Sequence, residues 1–144
     1  MTGPEITVQL GSWDELKDEA APIRFAVFVD EQHVPPETEL DEWDALSLHA
    51  IARAADGTAL GTGRLLPDGH IGRMAVTQAA RGLGVGAVLL STLMAEARRR
   101  GCGEVALSAQ THALGFYGKH GFIAEGDEYL DCEIPHRLMR HVFD

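Results

Sequence analysis

Two cysteines are all that 144 residues contain, and Cys102 and Cys132 form no C-x-x-C pair. A disulfide framework is therefore not expected, and both thiols read as reduced and structural or incidental. The seven histidines are scattered, with no H-E-x-x-H and no paired Cys/His spacing, so no metal site is expected. Positive charge is also scarce. Twelve basic against twenty-two acidic residues give a net charge of −10, which argues against nucleic acid or an anionic membrane as partner. Arg98-Arg99-Arg100 is the one basic run, and it reads as the end of a helix. No apolar stretch approaches a membrane span, and Met1 to Glu5 lack the charged-then-apolar form of a leader. A cytoplasmic chain is the expectation. No G-x-x-x-x-G-K-[ST] occurs, which removes a P-loop.

What is present is a globular composition, with 45% hydrophobic and 24% charged residues, in a chain long enough for one domain spanning residues 1–144. Ile6, Val8 and Leu10 alternate as in a half-buried strand. Ser12 and Glu15 fit a capping box that starts a helix, Pro22 suggests a break in it, and Pro35-Pro36 forces an extended loop. Leu48–Arg53 and Ala59–Leu66 flank Asp56-Gly57 as a hairpin. Pro67-Asp68-Gly69 then turns into a strand from His70 to Val76. A helix from about Gly84 to Arg100 buries Val85, Val88, Leu89, Leu93 and Ala97, and Gly101 ends it. A strand follows from Glu104 to Gln110, then a short helix closed by Gly121. The tail pairs Ile123–Gly126 with Ile134–Val142.

The informative stretch joins the strand ending at Val76 to that long helix through Arg81-Gly82-Leu83-Gly84-Val85-Gly86. Glycines there allow close approach of a ligand to backbone N–H groups. The helix start adds partial positive charge suited to a pyrophosphate, and Arg81 adds a cation. Gly82-x-Gly84-x-x-Ala87 also satisfies a dinucleotide fingerprint, but that requires an acid at the end of the next strand. Here the only acid, Glu104, stands at its start, and Gln110 stands at its end. A nicotinamide-dependent enzyme is disfavoured.

Residues 30–44 form a second unusual stretch. Asp30, Glu31, Glu37, Glu39, Asp41, Glu42 and Asp44 carry seven of the acids, and no Lys or Arg lies between Arg24 and Arg53. The stretch reads either as a solvated loop or as a mouth that attracts a cationic amine.

Two motifs together carry a resemblance. Arg81-Gly82-Leu83-Gly84-Val85-Gly86 matches Arg/Gln-x-x-Gly-x-Gly/Ala, and Gln110-Thr-His-Ala113 through Tyr117 to Gly121-Phe122 resembles Asn-x-x-Ala-x-x-x-Tyr-x-x-x-Gly-Phe about thirty residues on. The pair resembles the GCN5-related N-acetyltransferase (GNAT) superfamily over nearly the whole chain. Ile23-Arg24 through Glu31-Gln32, then Glu39, Asp41, Asp44, His49 and Ile134-Pro135-His136, resemble its ElaA-type branch.

The resemblance implies an α/β GNAT fold, with a mixed, mostly antiparallel sheet flanked by helices. The strands ending at Val76 and Gln110 would splay to admit acetyl-coenzyme A. It implies acetyl transfer to a primary amine on a small molecule or peptide, by direct attack. Arg81, Gly82, Leu83, Gly84, Val85 and Gly86 would take the pyrophosphate, and backbone near Met74, Ala75 and Val76 the thioester oxygen. Gln110, Phe116 and Tyr117 would line the cofactor arm, with Gln110 replacing the pattern's Asn. Tyr117 would protonate the leaving thiolate. Glu31, Glu39, Asp41, His49 and His136 are candidate bases, and Glu31, Gln32, Glu39, Asp41 and His136 candidate substrate contacts. The alternative is a non-catalytic acyl-coenzyme A sensor on the same fold. Such domains often pair as homodimers, but no stretch here marks an interface.

Overall fold

A computed structural model describes residues 5–144; the leader reading of the first residues falls largely outside them. Strand β1 (Ile6–Gly11) leads to Ser12, which caps α1 (Trp13–Arg24). The Ser12 hydroxyl accepts from the Glu15 amide at 3.2 Å, and the Glu15 carboxylate accepts from the Ser12 amide at 2.9 Å.

The helix does not break at Pro22. Leu16, Ala20, Ile23 and Val27 are all buried, and that continuous apolar face outweighs the hydrogen bond proline removes. The winding instead widens into a π-helical segment over Phe25–Glu31, a rare form that recurs at functional sites. Pro36 does not extend the loop but opens a one-turn helix, α2 (Pro36–Glu39), where its missing N–H costs nothing.

β2 (Leu48–Ala54), β3 (Ala59–Leu65) and β4 (Ile71–Val76) complete an antiparallel sheet of order β1-β2-β3-β4. Helix α3 (Val85–Arg99) lies across it. Gly61 permits this approach, since a Cβ there would sit 3.0 Å from Val85 Cγ1 and 3.1 Å from Leu89 Cδ1. In α3 Leu90 is fully buried and Val88 only half, because the helix contacts strands of both sheets and its apolar face is wider than one stripe.

The second sheet has order β5-β7-β6, from β5 (Glu104–Gln110), β6 (Ile123–Asp131) and β7 (Ile134–Val142), with α4 (Leu114–Lys119) between β5 and β6. β6 runs five residues past the expected Gly126. Its turn is Cys132-Glu133, both at positive φ (49° and 65°), and neither residue signals the mirror-image hairpin turn that this conformation belongs to. The sheets meet at a parallel bridge between His70 and Ala106. From there β4 and β5 part.

Candidate active site: the cleft between the parting strands

The gap between β4 and β5 opens into a cleft of about 350 Å³ whose lining includes Met74, Leu107, Gln110, Tyr117 and His136. A neighbouring cavity of about 160 Å³ shares Phe28, Gln32, Arg73, Gln110, Asp131 and His136 with it. The two adjoin along those residues, from Tyr117 on α4 to the β6–β7 turn.

On the β4 side the pairing with β3 slips. Thr62 faces Ala75 and Arg64 faces Gly72, so Arg73 and Met74 together oppose Gly63. Arg73 takes a positive φ of 49° there. Such a bulge withdraws backbone groups from the ladder and re-aims them. Beyond Val76, Gly82 and Gly84 both adopt φ of 84°, a left-handed conformation that strains any side chain, and no side chain caps the start of α3. The first-turn amides of α3 are thus left for another acceptor. Phe116 fixes this corner, since a Cβ on Gly86 would touch its ring at 3.4 Å, and the same ring packs edge-on against Tyr117.

Tyr117 is enclosed by Phe116 and Phe122, and burial pushes its phenol up to about 12. At neutral pH the hydroxyl is a committed donor. Gln110 is tied at both ends: its amide nitrogen donates to Gln32 at 2.8 Å, and its oxygen lies 2.7 Å from His112 Nε2. The first contact holds the end of the π-helical segment to the end of β5.

The acidic stretch divides: Asp30, Glu31, Glu37 and Glu42 are exposed, whereas Glu39 and Asp44 are buried and Asp41 half-buried among arginines. Arg24 Nε lies 2.7 Å from Glu39 and its Nη1 2.7 Å from Asp44. Arg64 bonds Asp41 at 2.8 Å and Asp44 at 2.9 Å, and Arg73 reaches Glu39 at 3.2 Å and Asp41 at 3.4 Å. Three guanidiniums face three carboxylates, and Arg24, Glu39, Asp44 and Arg64 are buried. Burial lifts the Glu39 carboxyl above its ordinary range despite Arg24. Burial also opposes Asp44, but hydrogen bonds from Arg24, the Asp41 amide and Arg64 outweigh it and hold that carboxyl down.

The candidate bases therefore separate. Glu31 is paired with Arg81 at 2.8 Å, so each of these two expected site residues engages the other. Glu39 reaches the smaller cavity but is consumed by arginines, and Asp41 lines neither cavity. His49 is 1% exposed and lines neither; its Nε2 lies 2.9 Å from the Asp44 carbonyl and Trp13 covers its ring. Burial holds its pKa below 6.5. Of the candidate bases and substrate contacts, His136 and Gln32 stand in both cavities. Sequence reasoning missed Phe28, Arg73 and Asp131, which also line both; the bulge and the turn that place them carry no local signature. Among the described residues no cluster of His, Cys, Asp or Glu could hold a metal ion, and no helix is long and apolar enough to cross a membrane.

Residues 14–143 match the acetyltransferase (GNAT) domain family. The uncharacterized N-acetyltransferase YjcF of Bacillus subtilis is 38% identical over 130 residues, covering 88% of this chain and 91% of that one. Among solved structures, an acyl-CoA N-acyltransferase from Pseudomonas aeruginosa superposes with a TM-score of 0.85 at 33% identity, over 96% of this chain and 100% of that one. Escherichia coli ElaA superposes with a TM-score of 0.84 at 29% identity, over 95% and 99%.

Proposed function

The chain belongs to the GNAT acetyltransferase family, and on that premise we propose that it moves an acetyl group from acetyl-coenzyme A to the primary amine of a small acceptor by direct attack. The observation that carries the reading is one juxtaposition. The β4 bulge and Tyr117 line the cleft where the two sheets part, and the uncapped, glycine-led start of α3 stands beside them, with Gly86 against Phe116 and Val76.

The residues present fit the cofactor. Amides of Gly82 to Gly86 would take the pyrophosphate at the positive end of α3. Arg81, already neutralised by Glu31, shapes the turn more than it charges it. Bulged backbone at Met74 would donate to the thioester oxygen as negative charge develops on it. Acetyl-coenzyme A supplies the activated acyl group and a thiolate leaving group. Tyr117 donates its proton to that sulfur, and its raised pKa keeps the proton in place until then. The acceptor enters the space lined by Phe28, Gln32 and Asp131. Because Glu39 and Asp41 are held by arginines, Asp131 is the carboxylate left to draw an ammonium group in.

Calorimetric titration with acetyl-coenzyme A, beside a Gly84→Glu variant, tests the cradle. Saturable binding to the wild type that weakens at least about tenfold, roughly 1.4 kcal/mol, in the folded variant is expected. A folded wild-type chain that binds no acetyl-coenzyme A contradicts the function outright.

A further inference from the structure

Resting on that transferase reading, we infer that His136 is the general base, taking the ammonium proton of the acceptor at Nε2 before the amine attacks. Three histidines line the larger cleft, and their ring nitrogens differ in what they already hold. His112 has Nε2 occupied by the Gln110 side chain. His70 pairs with Asp68 at 2.9 Å and stands at the bridge to Ala106, before the bulge, where the sheets are still joined. His136 alone lines both cavities with one nitrogen fixed and the other unclaimed.

The fixed nitrogen decides the tautomer. His136 Nδ1 lies 2.6 Å from the Ile134 carbonyl oxygen, which can only accept, so Nδ1 carries the proton and donates it. Nε2 then presents a lone pair. It takes no partner among the described residues and is not sealed from solvent, although the residue as a whole is 8% exposed.

The ring is also held in place. Tyr129 stacks on it at 6.0 Å and 22°, and the Tyr129 hydroxyl is itself hydrogen-bonded to Ser108. In the β5–β7 pairing His136 stands directly opposite Gln110, at the end of β5 where the sheets have parted. Asp131 on β6, Cys132 in the β6–β7 turn, His70 before β4, His112 after β5, Tyr117 on α4, Arg64 on β3, Arg73 on β4 and Glu39 on α2 are the other titratable or charged groups lining the two cavities, and Tyr129 on β6 faces the His136 ring. Of the three carboxylates and guanidiniums of α2, β3 and β4 here, each has a partner of opposite sign.

The balance of the step is simple. The amine N–H bond breaks and an Nε2–H bond forms. The freed lone pair forms the C–N bond to the acyl carbon; as the C–S bond breaks the sulfur takes its proton from Tyr117, and the second proton of the now cationic nitrogen leaves through water to restore the phenol. The imidazolium then releases its proton to water.

The test uses the full chain and its His136→Gln variant, acetyl-coenzyme A, and two probe amines. Benzylamine is protonated at pH 7 and must lose a proton before attack; aniline is already neutral. Thiol release is followed from pH 6 to 9, with acetyl-coenzyme A affinity measured in parallel. The variant is expected to bind the cofactor within twofold of wild type. Its kcat/KM for benzylamine at pH 7 should fall about 10²-fold or more, with the acid limb displaced upward, while aniline loses far less. Equal losses for the two amines, or an unmoved acid limb, overturn the assignment and leave the transferase standing. An acid limb that moves in Asp131→Asn but not in His136→Gln overturns it in favour of Asp131. Wild-type protein that turns over neither amine takes down the transferase reading and this one together.

Discussion

The glycine turn at 81–86 and the acidic stretch at 30–44 are both conspicuous in the sequence, yet they ended in opposite states. The turn keeps its backbone donors at an uncapped helix start, with two glycines at φ of 84°. The acidic stretch, which looked exposed, sends Glu39 and Asp44 into the interior beneath Arg24, Arg64 and Arg73. In the turn the functional groups are backbone, so local residue types suffice to specify them. In the acidic stretch the outcome depends on guanidiniums from α1, β3 and β4, up to 34 residues away in sequence. Under the proposed function, one region would receive the cofactor and the other would hold the acceptor side of the cleft in shape.

The largest expected effect breaks the second region. Arg24→Met removes a guanidinium that bonds Glu39 and Asp44, leaving two buried carboxylates short of a partner. A loss of about 3–5 kcal/mol in urea unfolding is expected. A loss below about 1 kcal/mol would mean that the cluster is hydrated and the contrast with the turn is wrong.

Next is Tyr117→Phe, which leaves the fold and the glycine turn intact while deleting the donor. An alkyl amine acetylated by the wild type should show kcat reduced about 10²-fold, with acetyl-coenzyme A affinity within twofold. An unchanged kcat would make Tyr117 a packing residue beside Phe116. Since its phenol is lifted to about 12, any alkaline loss of activity below pH 10 belongs to another group.

The smallest effect concerns His49. Burial keeps its folded pKa below 6.5, so the unfolded chain binds the extra proton first. Its contribution to stability is present above pH 6.5 and is lost as pH falls below that value. His49→Gln should flatten the decline in stability on acidification relative to wild type. A steeper decline in the variant would contradict the buried, neutral assignment.

Legibility followed the same division. The Ser12 capping box and the β2–β3–β4 meander could be read because each depends on residues close in sequence. Pro22 misled because the tertiary burial of Ile23 and Val27 overrides a local breaker. The length of β6 was missed because Cys132-Glu133 adopts a turn conformation usually marked by Asn or Gly. His49 and Asp41 read as candidate bases because nothing near them in sequence announces that Trp13 covers the one and Arg64 holds the other.

The most direct test of this account is an amide chemical-shift titration of the chain with acetyl-coenzyme A. The account predicts that the amides of Gly82, Gly84, Val85 and Gly86 move and saturate together while those of Asp44 and His49 stay put. Saturable binding that shifts the Asp44 and His49 amides and spares the glycine turn would contradict it.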